Sequence, residues 1–194
     1  LSMLTSITPL GERGRGQRWG LTASFLFVGH LIGGTAFAAV IVGLGLVVRA
    51  VASPADGVVL GAVAAAAAVA LVLDLSERSL PGRRQVDERW LTAYRGWVYG
   101  IGFGVQLGFG FVTVINTFLF AALVIGGALL DPVPAFAIGV GYGAIRAAMT
   151  LLNFRVRTVD DLKRLHRRLD HADGFIRWAG AVAVGAGTIG AIAL

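Results

Sequence analysis

The side chains of this sequence most able to do chemistry are polar groups set inside long apolar stretches. His30, Gln106 and Arg146 each lie well inside such a stretch, and Asn116 and Tyr142 lie in the same stretches as Gln106 and Arg146. An imidazole can exchange a proton near neutral pH, and a guanidinium at membrane depth needs an anion or oxygen acceptors. Together the five residues predict a binding site for a small anionic or polar solute.

Each of the two strongest candidates also has a structural interpretation. Arg146 can extend its charged end to the membrane surface or bond backbone carbonyls instead of holding an anion. His30 can make a hydrogen bond to a neighbouring helix instead of handling protons. The sequence alone leaves both alternatives open.

The sequence gives less support to a proton relay, a metal site or enzymatic catalysis. All eleven acidic residues fall in loops or at the ends of apolar stretches, which disfavours a carboxylate proton relay or a dicarboxylate metal site within the bilayer. The three histidines lack metal-ligand spacing and the chain has no cysteine, so we expect neither a metal site nor a cofactor. We find no catalytic constellation and predict that the chain is not an enzyme.

The composition indicates which elements hold these side chains. With 56% hydrophobic and 14% charged residues, the chain is too apolar for a soluble domain. A transmembrane helix needs about 20 apolar residues. Five stretches qualify, about 19–48, 57–73, 96–130, 135–154 and 175–194. We therefore predict an all-α fold, a five-span transmembrane helix bundle forming a single membrane domain over 1–194, in which 96–130 is one tilted or broken span.

The basic residues outside the stretches predict the topology. From the N-terminus onward the flanking segments carry 3, 1, 5, 0 and 6 Lys or Arg. Cytoplasmic loops collect these residues, so the alternation predicts an N-terminus inside and a C-terminus outside. We expect a multi-pass protein of the cell (inner or plasma) membrane, whose first stretch is a retained anchor and not a cleaved signal.

Glycine at four-residue spacing predicts close helix packing. Gly96, Gly100, Gly104 and Gly108 form three overlapping GxxxG units, which let a neighbouring helix approach closely in lipid. Such a stripe packs against a helix of the same chain or forms an exposed groove for a partner subunit.

A basic amphipathic helix is predicted at about 159–170. Thr158 and Asp161 resemble a capping box at its start. We expect its bases to bind anionic lipid headgroups at the cytoplasmic face, and these are Lys163, Arg164, Arg167 and Arg168. No nucleic-acid motif accompanies the basic residues, so we predict no nucleic-acid binding.

The block 83–108 resembles small bacterial membrane proteins grouped with the DsbD/CcdA cytochrome-c-biogenesis and TauE/SafE-like families. The likeness rests on Arg83 to Trp90, Tyr94 to Gly100 and Gly102 to Gly108. It implies a helix-bundle scaffold. The redox members carry electrons through paired membrane cysteines, which this chain lacks, so His30 and Gln106 cannot be given that role.

Two functional hypotheses follow. The first is a transporter-like protein that handles a small anionic or polar solute near His30, Gln106 and Arg146. The alternative is a non-catalytic accessory or assembly subunit of a larger membrane complex, or a homo-oligomer, docked through an exposed groove along Gly96 to Gly108. The polar residues at membrane depth favour the first.

Overall fold

The computed structural model describes residues 6–52, 54–76, 87–111, 117–169 and 171–172, and every regular element in these ranges is a helix. In chain order they are α1 (Pro9–Gly14), α2 (Trp19–Ala52), α3 (Asp56–Leu75), α4 (Trp90–Ala93), α5 (Gly96–Phe109), α6 (Leu119–Leu129), α7 (Pro132–Met149), a 3₁₀ turn (Thr150–Asn153) and α8 (159–169). The all-α class is thus confirmed for these ranges. The predicted last span, 175–194, lies outside the described residues.

Three helices of the described ranges are long and apolar enough to cross a membrane. They are Trp19–Ala52, Asp56–Asp74 and Pro132–Asn153. α2 has 34 residues, which gives it a length of about 51 Å, well above the roughly 30 Å of a bilayer core. Only 6% of the residues in the 18-residue apolar segment of α3 are buried. Exposed apolar surface of this extent is compatible with a lipid environment.

The described parts of the long apolar stretch 96–130 contain two shorter helices. α5 has 14 residues and ends at Gly110, whose φ of 77° lies in the left-handed region that favours glycine. α6 has 11 residues and begins at Leu119. The stretch therefore contains a break in its helical backbone after Phe109.

The chain divides into two compact units. The first contains Leu1–Phe37, Arg83–Val114 and Val140–His171; the second contains Ala38–Gly82, Ile115–Gly139 and Ala172–Leu194. In the first unit, the side chains of Ile7, Leu26, Tyr99 and Phe103 form a buried core, against which Trp19, Trp90, Leu91 and Leu107 pack.

In the first unit, glycine backbones bring α5 directly onto α2. A Cβ atom on Gly100 would lie 2.7 Å from the carbonyl oxygen of Thr22, and one on Gly104 would lie 2.8 Å from Gly29 Cα. A Cβ on Gly108 would lie 2.8 Å from His30 Cα. Since real Cβ atoms do not approach backbone so closely, the two helices fit only because these positions carry no side chain.

In the second unit, two side chains from other helices bond the ends of α6. Asp74, at the end of α3, accepts hydrogen bonds from the Thr117 hydroxyl and from the Phe118 amide, the latter at 2.6 Å. At the other end, Arg49 donates to the carbonyl oxygens of Leu129 and Leu130. An anion at the N-terminus and a cation at the C-terminus both complement the dipole of a helix.

Candidate functional site

The first unit brings three of the predicted site residues into one region. His30 lies in α2, and Tyr142 and Arg146 lie one turn apart in α7. The two helices meet at Gly143, where a Cβ would lie 2.6 Å from the His30 carbonyl oxygen and 2.7 Å from Gly34 Cα. Gly143 lies between Tyr142 and Arg146 in the sequence, so this backbone contact places the turn of α7 that carries both residues against α2 at His30.

The His30 side chain is buried within α2. Only 2% of the residue is exposed, and its Nδ1 lies 2.8 Å from the carbonyl oxygen of Leu26, one turn earlier. Because a carbonyl can only accept, Nδ1 carries the proton and Nε2 is the nitrogen left to exchange one. The hydrogen bond therefore runs to the residue's own helix, not to a neighbouring one.

Arg146 is a half-buried cation that bonds a neutral partner. Its Nη1 donates to the Tyr142 hydroxyl at 3.1 Å, and its Cζ lies 5.5 Å from the centre of the Tyr142 ring. The Tyr142 ring also contacts the buried Phe37, with ring centroids 5.1 Å apart. In the part of the chain that the structure describes, no carboxylate pairs with Arg146.

The structure describes one of the other two predicted site residues, Gln106. Gln106 is half-buried on α5, and among the described residues no hydrogen bond links it to His30 or Arg146. Asn116 lies outside the described residues. The described site is thus His30, Tyr142 and Arg146, contributed by α2 and α7.

The glycine stripe is filled from within the chain. Gly96, Gly100, Gly104 and Gly108 are all buried, and each lies against residues of α2 or the segment before it. An exposed groove along this stripe, expected if it binds a partner subunit, is therefore not what the structure has, because α2 already occupies it.

α8 presents its bases outward. Lys163, Arg164, Arg167 and Arg168 are exposed, whereas Leu162, Leu165 and Leu169 are half-buried. The capping box is present in both directions. The Thr158 amide donates to Asp161 Oδ2 at 3.0 Å, and the Asp161 amide donates to Thr158 Oγ1 at 3.1 Å. Hydrogen bonds from Arg164 and then from Thr158 hold the pKa of Asp161 well below its usual range.

A second polar cluster, which the sequence reasoning missed, is centred on Glu12. This carboxylate in α1 is fully buried and pairs with Arg15 at 2.5 Å. It also accepts hydrogen bonds from the hydroxyls of Thr22, at 2.7 Å, and Tyr99, at 2.5 Å. Burial acts to lower the pKa of Arg15, but its hydrogen bond and ion pair with Glu12 raise that pKa by more, so the net shift is upward.

The sequence does contain a signal for α1. Thr8 is its N-cap and accepts a hydrogen bond from the Gly11 amide at 3.0 Å, while Pro9 occupies the first helical position. A threonine followed by proline and then an acid in the first turn is typical of a helix start. This pattern predicts the helix, although it does not identify the partners of Glu12.

No family model matches this sequence, and no curated protein or solved structure matches it either.

Proposed function

We propose that this chain is an integral membrane protein that binds and moves a small anion, with Arg146 as the residue that contacts it. The observation that carries the proposal is the half-buried guanidinium of Arg146, which bonds the neutral hydroxyl of Tyr142 and pairs with no carboxylate of the described residues. A buried cation without a counter-charge is costly in an apolar surrounding, and an anion removes that cost.

The surroundings of Arg146 support a transport role over a purely structural one. Its helix is one of the three that are long and apolar enough to cross a membrane. About seven residues separate Arg146 from the end of that helix at Asn153, which corresponds to about 10 Å of helix. His30 of α2 contacts Gly143, three positions before Arg146, so an imidazole able to exchange a proton lies in the same region.

The accessory-subunit alternative receives less support. Its proposed docking groove along Gly96–Gly108 is occupied by α2. The resemblance of residues 83–108 to exporter and cytochrome-biogenesis proteins agrees with a membrane helix bundle and adds no residue role.

The test is anion efflux from proteoliposomes. Vesicles containing the purified protein would be loaded in separate experiments with chloride, sulfate, phosphate or acetate, and release would be followed against protein-free vesicles. We expect the wild-type protein to release at least one of these anions and Arg146→Gln to reduce that release at least about tenfold. Arg155→Gln, which removes an exposed arginine stacked on Phe154, is the matched control and should behave as wild type.

Two outcomes would reject the proposal. One is folded wild-type protein that releases none of the four anions faster than empty vesicles. The other is Arg146→Gln protein with wild-type release. Arg146→Lys distinguishes charge from geometry, because it keeps the cation and loses the planar donor set, and it should retain part of the activity.

A further inference from the structure

A cleft of about 550 Å³ lies in the first unit, where the N-terminal segment meets the chain that follows the 3₁₀ turn at Thr150–Asn153. Its lining includes Arg13, Gln17 and Trp19 from the N-terminal side, and Phe154 and Arg157 from the other. The two sides are joined by a backbone hydrogen bond of 3.1 Å from the Leu10 amide to the Val156 carbonyl. The volume is within the range of about 300–1,000 Å³ found for small-molecule sites.

All the charged residues that line this cleft are basic. Arg13 and Arg157 contribute two guanidinium groups, and no acidic residue lines the cleft. Within the described ranges no side-chain hydrogen bond or ion pair engages either guanidinium. Two nearby acids already have partners. Glu12 is bound by Arg15, Thr22 and Tyr99, and Asp161 is bound by Thr158, by Arg164 and by the backbone amide of Arg157 at 3.2 Å.

A second cleft shows that this lining is not a general feature of the protein. In the second unit a cleft of about 530 Å³ is lined by Arg49 together with Asp56 and Asp131. Its one arginine donates to backbone carbonyls and pairs with Asp131 at 3.5 Å. The charges there are balanced by the protein itself, whereas those of the first cleft are not.

The position of the first cleft indicates the depth of its ligand. Trp19 is the first residue of one candidate span, and Phe154 directly follows the last residue of another. Indole rings favour the boundary between hydrocarbon and headgroups. The two arginines therefore lie at the level at which phosphate groups of a bilayer occur.

We propose that this cleft binds a phosphate group between Arg13 and Arg157, carried by an anionic lipid headgroup or by a free phosphate. Guanidinium groups suit this ligand because each can donate two parallel hydrogen bonds to phosphate oxygens. The apolar rings of Trp19 and Phe154 provide contact area for the glycerol and upper acyl part of a lipid. This site is separate from the bases of α8, which form an open basic surface.

The test compares two double variants that each remove two positive charges. Wild-type protein in neutral detergent would be titrated with phosphatidylglycerol, with zwitterionic phosphatidylcholine and with inorganic phosphate against chloride of equal ionic strength. Bound lipid would be counted by native mass spectrometry, and the melting temperature would be recorded. We expect Arg13→Gln/Arg157→Gln to weaken retention of phosphatidylglycerol about tenfold and to abolish stabilisation by phosphate. Arg89→Gln/Arg95→Gln, which removes two exposed arginines outside both the cleft and α8, should change either quantity less than about threefold.

The two arms separate the possible sources of the phosphate. Retention of phosphatidylglycerol at concentrations where inorganic phosphate has no effect assigns the cleft to a lipid headgroup. Stabilisation by phosphate without preferential lipid retention assigns it to a soluble compound. Loss of phosphatidylglycerol retention in Arg13→Gln/Arg157→Gln protein that still releases anions from vesicles supports this site alone, and retained lipid binding without anion release rejects only the transport proposal.

The proposal is overturned if Arg13→Gln/Arg157→Gln protein binds phosphatidylglycerol and phosphate as wild type does. It is equally overturned if Arg89→Gln/Arg95→Gln protein loses as much binding, because the interaction would then be a diffuse attraction to basic surface. Arg13→Lys/Arg157→Lys keeps both charges and replaces the glutamine variant in the binding test if that variant does not fold. Its expected retention is about threefold weaker than wild type, since lysine lacks the two-pronged donor geometry, and wild-type retention would reject the site.

Discussion

The hydroxyl of Tyr99 donates a 2.5 Å hydrogen bond to the carboxylate of Glu12, which joins two residues 87 positions apart. Thr22 donates to the same oxygen from α2. One buried carboxylate therefore connects α1, α2 and α5. The amide of Gly96 adds a further link by donating to Gln17 at 3.0 Å. The N-terminal segment is thus an integral part of the first unit.

Glu12→Ala should destabilise the protein by about 3 kcal/mol, because it leaves the partly buried cation of Arg15 without a counter-charge. Glu12→Gln should cost less, since an amide oxygen still accepts a hydrogen bond from Tyr99 or Thr22. Denaturant titration in mixed micelles, followed by tryptophan fluorescence, measures the loss. Glu88→Gln removes an exposed acid and is the control. Equal stability of the Glu12→Ala and Glu88→Gln proteins would show that the buried network contributes nothing.

Gly104→Ala should destabilise the packing of α5 on α2 by about 1–3 kcal/mol, or prevent folding. The added methyl group would lie 2.8 Å from Gly29 Cα, and neither backbone can move aside without separating the helices. Gly61→Ala is the matched control, because Gly61 is also helical but has nothing within 4 Å of its Cβ position. It should be neutral or stabilising by up to about 1 kcal/mol. Melting temperatures in one detergent decide the comparison, and similar values for both variants would contradict the close approach.

Asp74→Ala should loosen α6 while leaving other helices in place. The Phe118 amide and the Thr117 hydroxyl lose their acceptor, and the loss of such a cap typically costs about 1–2 kcal/mol. Hydrogen exchange over the peptide 117–129 should then accelerate about tenfold. Asp56→Ala removes an exposed acid in the first turn of α3 and should not change exchange in that peptide. Unchanged exchange in Asp74→Ala would show that the carboxylate does not hold the helix end.

The capping box of α8 makes that helix sensitive to acid. The pKa of Asp161 is depressed by hydrogen bonds from Arg164 and Thr158, so its stabilising effect is complete above the ordinary aspartate pKa of about 4 and is lost as the pH falls through the depressed value. A spin label on a cysteine introduced at Arg168 should therefore become more mobile below about pH 4. The same label in Asp161→Asn protein should show high mobility at every pH.

A label at Val69, on the exposed side of α3, is the control for general unfolding in acid. If both labels become mobile together, or if the asparagine variant titrates like wild type, the effect does not come from Asp161.

The predicted topology places Gly14 inside the cell and Val133 outside. Both residues are exposed, and the chain has no native cysteine to interfere with labelling. A membrane-impermeant maleimide applied to intact cells should therefore modify Val133→Cys and spare Gly14→Cys until the cells are opened. A reporter fused after Leu194 should be active on the outer side. Its activity on the same side as Arg83 would refute five crossings from an inward start.

The positions of the long helices could be predicted closely from the sequence. The predicted stretches 57–73 and 135–154 correspond to helical segments over Asp56–Asp74 and Pro132–Asn153. Such helices form wherever a run of apolar residues is long enough, so local composition carries the necessary information. The position of the break after Phe109 was harder to predict. Several glycines in the stretch could adopt a left-handed backbone, but within α5 and its C-cap only Gly110 does so.

The candidate site was harder to predict, because depth along a helix does not give the face on which a residue lies. Gln106 is two residues from Gly104 and from Gly108, or about 200° around an α-helix. Since both glycines face α2, Gln106 faces away from it, and this could have been read from the spacing. The Glu12–Tyr99 pair could not, because it depends on tertiary contact between distant segments.

The peptide group of His30 has two glycine neighbours, Gly108 of α5 and Gly143 of α7. A Cβ added to either glycine would lie within 2.8 Å of a backbone atom of His30. The helices α5 and α7 therefore both contact α2 at the backbone of this one residue. A change in the backbone of α2 at His30 would therefore press on α5 and α7 together.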